Sequence, residues 1–219
     1  MKIITILILP VLLIFSSCAP ARFVKPLDKG EVAVGVNLGG PLVNFSDMVI
    51  PIPYTSLYAG YGWKDKTTVY TGLHLTALAF SNLQLDIGAS HEFREQSGLT
   101  PGISGGGSLI IIANDRDFRI YPTFDANTFW EYADNKWMTY AGSSIWLDFF
   151  KGEAVNQENA IFLMPEFHVG QTYSFTSTEL TLEYKFMSPF VKGDRTVAEY
   201  ANFSSYGASG LYFSIMKRF

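Results

Sequence analysis

The sequence predicts an all-β chain folded as a single antiparallel up-and-down barrel of about ten strands. Three observations lead there. Stretches of about ten residues alternate apolar with polar side chains, the period of a strand with two unlike faces. Clusters of turn-forming residues separate those stretches. Beyond Phe15 no apolar run approaches the roughly 20 residues that a membrane helix needs, although 48% of the chain is hydrophobic and 16% aromatic.

Taken in order, residues 31–39 (EVAVGVNLG) put Val32, Val34, Val36 and Leu38 on one face. Residues 55–63 do the same with Leu57, Ala59, Tyr61 and Trp63, and KDKT at 64–67 is a turn. Residues 68–77 set Val69, Leu73, Leu75 and Ala77 against Tyr70, His74 and Thr76. Residues 83–93 set Leu85, Ile87, Ala89 and Phe93 against Gln84, Asp86, Ser90 and Glu92. Residues 102–113 are glycine-rich, and their facing stays open. Residues 118–130 oppose Phe118, Ile120, Phe124 and Ala126 to Arg119, Tyr121, Asp125 and Asn127. After the ADNK turn, residues 137–149 form a further strand. Residues 161–170 set Ile161, Leu163, Phe167 and Val169 against Met164, Glu166 and His168. Residues 179–186 set Leu180, Leu182, Tyr184 and Phe186 against Thr181, Glu183 and Lys185. The chain closes on GLYFSIMKRF at 210–219, with Leu211, Phe213, Ile215 and Phe219 on one face.

Alternation alone does not say which face points outward: a soluble barrel turns its apolar face in, a membrane barrel turns it out. Trp63 beside one turn, and Trp130, Tyr132 and Trp137 around another, sit where a membrane barrel carries its aromatic girdle. The polar face is bulky and charged, as a small barrel filled by ion pairs and tyrosines requires. With both termini periplasmic, the turns at 64–67, 94–101, 133–136 and 171–177 lie on the periplasmic side. The opposite connections then include three long ones, 40–52, 150–160 and 187–206, and two short ones, 78–82 and 114–117. The expectation is a transmembrane barrel over 30–219, whose interior holds a polar network of Tyr70, His74, Asp86, Glu92, Arg119, Tyr121, Asp125, Glu166, His168, Glu183 and Lys185.

Two segments carry family resemblances. The closing GLYFSIMKRF resembles the terminal strand by which bacterial outer-membrane β-barrel proteins are recognised for insertion. At the other end, Lys2, the apolar run Ile3–Phe15, Ser16, Ser17 and Cys18 have the layout of a secretory signal. They resemble a bacterial lipoprotein signal peptide, with Phe15 where that family usually has Leu. The resemblance implies removal of residues 1–17 and a covalent lipid on Cys18. Residues 18–29, with two prolines, then read as a lipidated periplasmic tether. The APARF that follows Cys18 lacks the acidic run of some surface-exported lipoproteins, so the lipid is expected in the periplasmic leaflet of the outer membrane.

The formal charge of −4 argues against a nucleic-acid partner. A lone cysteine and three scattered histidines, His74, His91 and His168, make no metal site, so the lipid on Cys18 is the only attached group expected. His74 and Thr76 stand two residues apart on the polar face, superficially a base beside a hydroxyl. Loop 40–52 carries Leu42, Val43, Phe45, Met48 and Ile50, and loop 187–206 carries Phe190, Tyr200 and Phe203. These loops either form an apolar surface for a partner or fold into the barrel mouth as a plug. The leading reading is a closed, non-catalytic accessory subunit of a larger outer-membrane complex serving export, uptake or membrane-protein assembly. A barrel hydrolase acting on lipid, a narrow solute channel and a lipid-tethered soluble binder are the alternatives.

Overall fold

Strands form where β-branched and aromatic residues alternate with polar ones, and each ends where a turn cluster removes the pattern. The computed structural model describes residues 20, 22–45, 48–149, 163–192, 201 and 206–219. Its strands are β1 (Val32–Phe45), β2 (Met48–Pro51), β3 (Tyr54–Lys64), β4 (Thr67–His74), β5 (Leu83–Arg94) and β6 (Gly102–Ala113). They continue with β7 (Phe118–Tyr132), β8 (Trp137–Leu147), β9 (Leu163–Ser174), β10 (Thr178–Lys192) and β11 (Tyr206–Arg218). Among the described residues one short helix, α1 (Leu75–Ala79), follows β4.

Each strand from β3 onward pairs antiparallel with the next, β3 pairs with β1, and β1 pairs with β11 from Ala33↔Arg218 to Pro41↔Gly210. That last ladder closes a ten-stranded barrel in which β2 takes no part. The two ends of the barrel meet on one rim: Val32 and Phe219 exchange backbone hydrogen bonds of 3.3 and 2.8 Å. This rim also carries the 64–67, 133–136 and 175–177 turns. Closure satisfies the backbone groups that an open sheet would leave at its edges.

The exterior is apolar. Val34, Ile87, Leu109, Phe124, Ile145, Phe167, Leu182 and Phe213 are exposed, whereas Asp86, Glu166, His168, Glu183 and Lys185 are buried. In β6, whose facing the glycines obscured, Leu109 points out while Ser104 and Ile110 point in. Toward the terminal rim the outward side chains become aromatic, with Trp63, Phe93, Tyr132, Trp137 and Phe175 exposed. Trp137 and Tyr173 pack at 4.6 Å, and the Lys64 ammonium lies 4.3 Å over the Trp63 ring.

Four expectations need correction. The stretch 40–52 is not a loop: β1 runs on to Phe45 and turns into β2, with Leu42↔Pro51 through Phe45↔Met48 paired as a hairpin beyond the barrel wall. The strand over 68–77 stops at His74. Residues 75–79 coil into α1, so Leu75 and Ala77 leave the outward row and Ala77 is buried. The long connection 187–206 is shortened from both sides, because β10 continues to Lys192 and β11 begins at Tyr206. Residues 22–29, expected as a tether outside the barrel, run inside it. Their apolar and basic side chains Arg22, Phe23, Val24, Lys25 and Leu27 find partners on the lumen wall, as described next. Residues 1–17, Cys18, Tyr200 and Phe203 lie outside the described residues.

Candidate functional site: a lumen filled by the N-terminal segment

The wall of the lumen is built from the inward rows of the strands. Much of its β7–β11 sector is paired within the wall. Lys185 of β10 is buried, donates to Glu166 Oε1 of β9 at 2.5 Å and lies 3.8 Å from Glu183. Tyr140 of β8 donates to Glu183 Oε2 at 2.6 Å. His168 Nε2 is 2.7 Å from Asn127 Oδ1, and Asn127 donates to Asp125 Oδ2 at 2.7 Å. In a water-poor interior each of these charges is tolerable only because it is paired and hydrogen-bonded.

The other sector is completed by the segment before β1. Arg22 reaches Asp86 of β5, with Nε 2.7 Å from Oδ2 and side chains only 5% and 8% exposed. His74 of β4 stands 3.7 Å from the other oxygen of Asp86, and the Arg22 guanidinium lies 4.9 Å over the Tyr58 ring. Phe23 stacks on Tyr70 at 5.8 Å and meets Tyr58 edge-on at 5.9 Å. The Val24 carbonyl accepts a hydrogen bond from the Ser104 hydroxyl of β6. Lys25 donates to both carboxylate oxygens of Glu131 on β7 at 2.8 and 2.7 Å. The Leu27 N–H donates to Thr68 Oγ1 of β4 at 2.7 Å. Both buried apolar clusters found among the described residues include this segment: Phe23 and Leu27 with Ala33, Tyr58, Tyr70 and Met216, and Val24 with Phe129 and Tyr140.

The wall is shaped to receive it. A Cβ at Gly60 would overlap the Phe23 ring, and one at Gly72 would overlap both Asp86 Oδ1 and the Arg22 guanidinium. Glycine at these two positions is a matter of close approach. Toward β8–β11 the fit is looser. A cavity of about 60 Å³, room for roughly two waters, separates Pro20, Arg22 and Lys25 from Thr172, Glu179 and Arg218. Arg22 Nη1, Asn37 Oδ1 and Arg218 Nε, all of cavity-lining residues, have no hydrogen-bond partner among the described residues.

Other residues singled out from sequence lie apart from this assembly. Arg119 sits at the rim opposite the termini, half exposed, and donates to Asp117 at 2.5 Å. Tyr121 lies near the same rim, with its ring 6.2 Å from that of Trp146. Glu92 is buried on the lumen face of β5. His74 and Thr76 are not brought together as base and hydroxyl: Thr76 sits on α1, where its hydroxyl accepts from the Thr55 N–H at 2.8 Å and donates to the Pro53 carbonyl. His91 is exposed and pairs with Thr67. On the β1–β2 hairpin Phe45 and Met48 are 61% and 60% exposed, while Leu42, Val43 and Ile50 are half-buried. Phe190, near the end of β10, is also exposed.

Sequence reasoning missed the segment 22–29 as part of the interior. One sign was present. The inward rows hold Asp86, Glu92, Asp125, Glu166 and Glu183 against Lys185 and Arg119, an acidic excess that needs cations from elsewhere in the chain.

The chain matches no family model, and no curated protein matches it. Among solved structures it is similar to the translocator domain of the autotransporter NalP from Neisseria meningitidis, at 9% identity over 90% of this chain and 91% of that one, with a TM-score of 0.49. It is similar to an outer membrane channel from Pseudomonas putida F1, at 12% identity over 92% and 100% of the two chains, TM-score 0.48. It also matches the N-terminal β-barrel domain of Pseudomonas aeruginosa OprF at 11% identity over 88% and 100%, TM-score 0.34.

Two outcomes follow from the lumen geometry. Lys185→Met strands Glu166 and Glu183 without their cation and is expected to destabilise the barrel by about 3–5 kcal/mol, read as a lowered urea midpoint of the heat-modifiable folded band; an unchanged midpoint would contradict the pairing. Gly60→Val is expected to displace Phe23 and expose the 22–29 segment to chymotrypsin at Phe23 while the barrel band persists; continued protection would show that the slot is not needed.

Proposed function

We propose that this chain is an integral outer-membrane barrel, closed by its own N-terminal segment, that acts as a non-catalytic structural subunit of a larger envelope assembly. The observation that carries the proposal is the inside-out distribution of side chains. Valine, leucine, isoleucine and phenylalanine cover the outer wall, while ion pairs fill the lumen. A soluble barrel arranged this way would hold its whole apolar belt in water, at about 1.5–3 kcal/mol for each large side chain. Hydrocarbon removes that cost, and the exposed aromatic residues of the terminal rim suit a membrane–water interface.

A lipid on Cys18 fits this placement. Pro20 shares a cavity with Glu131, Ser174 and Arg218, residues near the ends of β7, β9 and β11 at the terminal rim. The support for a subunit role is the apolar material beyond the wall: Phe45, Met48 and Val49 on the β1–β2 hairpin, with Phe190 on β10. Exposed apolar surface at a rim, outside the strand belt, is the composition of a protein contact.

Ile87→Arg, in the outward row of β5, is expected to cost about 2–4 kcal/mol in lipid vesicles, measured by urea unfolding of the inserted barrel. A variant as stable as the parent would rule out a lipid-facing belt. Extraction of native membranes in mild detergent should recover the chain with stoichiometric partners, and Phe45→Asp with Met48→Asp should release them; a lone monomer in several detergents would count against the subunit role.

A further inference from the structure

We infer that residues 22–29 form a withdrawable plug and that the lumen beneath it conducts small cations. This rests on the membrane-spanning reading and goes beyond the structural role proposed above.

The first ground is charge. The plug supplies Arg22 to Asp86 and Lys25 to Glu131. Withdrawing it removes both cations and leaves Asp86, Glu131, Glu92 and Asp125 facing the same lumen, while the buried Lys185 stays committed to Glu166 and Glu183. A narrow pore lined by carboxylates concentrates cations and excludes anions.

The second ground is how the plug is fastened. Its hydrogen-bonding and ionic anchors lie on one side of the barrel, at Thr68, Asp86, Ser104 and Glu131 of β4–β7, while only apolar contacts, with Met216 and Tyr140, reach β11 and β8. The opposite side is the 60 Å³ cavity, so withdrawal joins an existing space to the volume of Arg22, Phe23 and Val24. Every polar anchor is a hydrogen bond or an ion pair, which can be exchanged for contacts with water.

The third ground is the connection to the wall. The segment joins β1 through Gly30, which adopts φ +86° with open space around its Cβ position. Gly30 N–H bonds Gly62 O at 2.8 Å, holding the pivot to β3 at the rim while the residues before it stay free of covalent ties to the wall. A swing about this glycine carries Arg22 out through the terminal mouth without breaking any strand pairing.

The test is a charge swap in the full chain, reconstituted in planar phosphatidylcholine bilayers under a potassium chloride gradient. The parent is expected to be closed. Arg22→Glu places a carboxylate against Asp86, so steady conductance should appear, with the reversal potential shifted toward that of potassium and Phe23 newly cut by chymotrypsin. The double variant Arg22→Glu with Asp86→Arg restores an ion pair and should return both closure and protease protection. A folded, inserted Arg22→Glu barrel that does not conduct overturns the inference. So does an anion-selective conductance, or a swap that stays open. If Arg22→Glu does not fold, Gly60→Val displaces Phe23 without altering a charge and is held to the same outcomes. Carbonate extraction and heat-modifiability of the parent are scored separately: a parent that does not insert refutes the membrane reading itself, whereas an inserted parent whose variants stay closed refutes only the plug.

Discussion

Charge balance inside a closed cylinder governs this structure. The lumen wall presents Asp86, Glu92, Asp125, Glu131, Glu166 and Glu183, and an enclosed carboxylate without a cation or hydrogen-bond donors carries a penalty of several kcal/mol. The wall's own buried cation, Lys185, serves Glu166 and Glu183. Asp86 and Glu131 are matched by Arg22 and Lys25, which precede the first strand. The barrel and its N-terminal segment are therefore one electrostatic unit, each supplying what the other lacks.

Packing follows the same division. On the β7–β11 side, Tyr140, Tyr212, Glu183, Lys185 and His168 fill the interior from the wall itself. On the β3–β6 side the wall is thin where it faces the segment. Gly60 leaves the slot that Phe23 occupies, and Tyr58 and Tyr70 form its sides. Ten strands enclose more space than the roughly eight whose side chains alone fill the interior, and eight residues of entering chain take up much of the difference. The remaining cavity lies between the segment and the β8–β11 wall.

The exterior and the rim obey different rules. Along the wall, outward side chains alternate with inward ones, because the strand period is two and each face meets one environment. Beyond Pro41 that constraint lapses. β1 leaves its pairing with β11 and folds back on β2, and apolar residues stand exposed on both strands of the hairpin. The short helix α1 marks the same loss at the top of β4, where the row ends at His74 and Ala77 turns inward.

What the sequence alone determined was the strand rhythm and which residues share a face. Val34, Ile87 and Leu182 were readable as one class, and Asp86, Glu183 and Lys185 as the other, because side-chain direction in a strand depends on local parity. The ends of β4, β9 and β10 were less readable: apolar alternation in Leu75–Ala77 is compatible with a strand, and only the turn back to β5 decides for a helix. Tertiary structure alone decided the destination of residues 22–29. Arg22 and Asp86 are 64 positions apart and Lys25 and Glu131 are 106 apart. No local period encodes such pairings. They exist because barrel closure brings β5 and β7 around a common axis, and the segment leading into β1 enters at that axis.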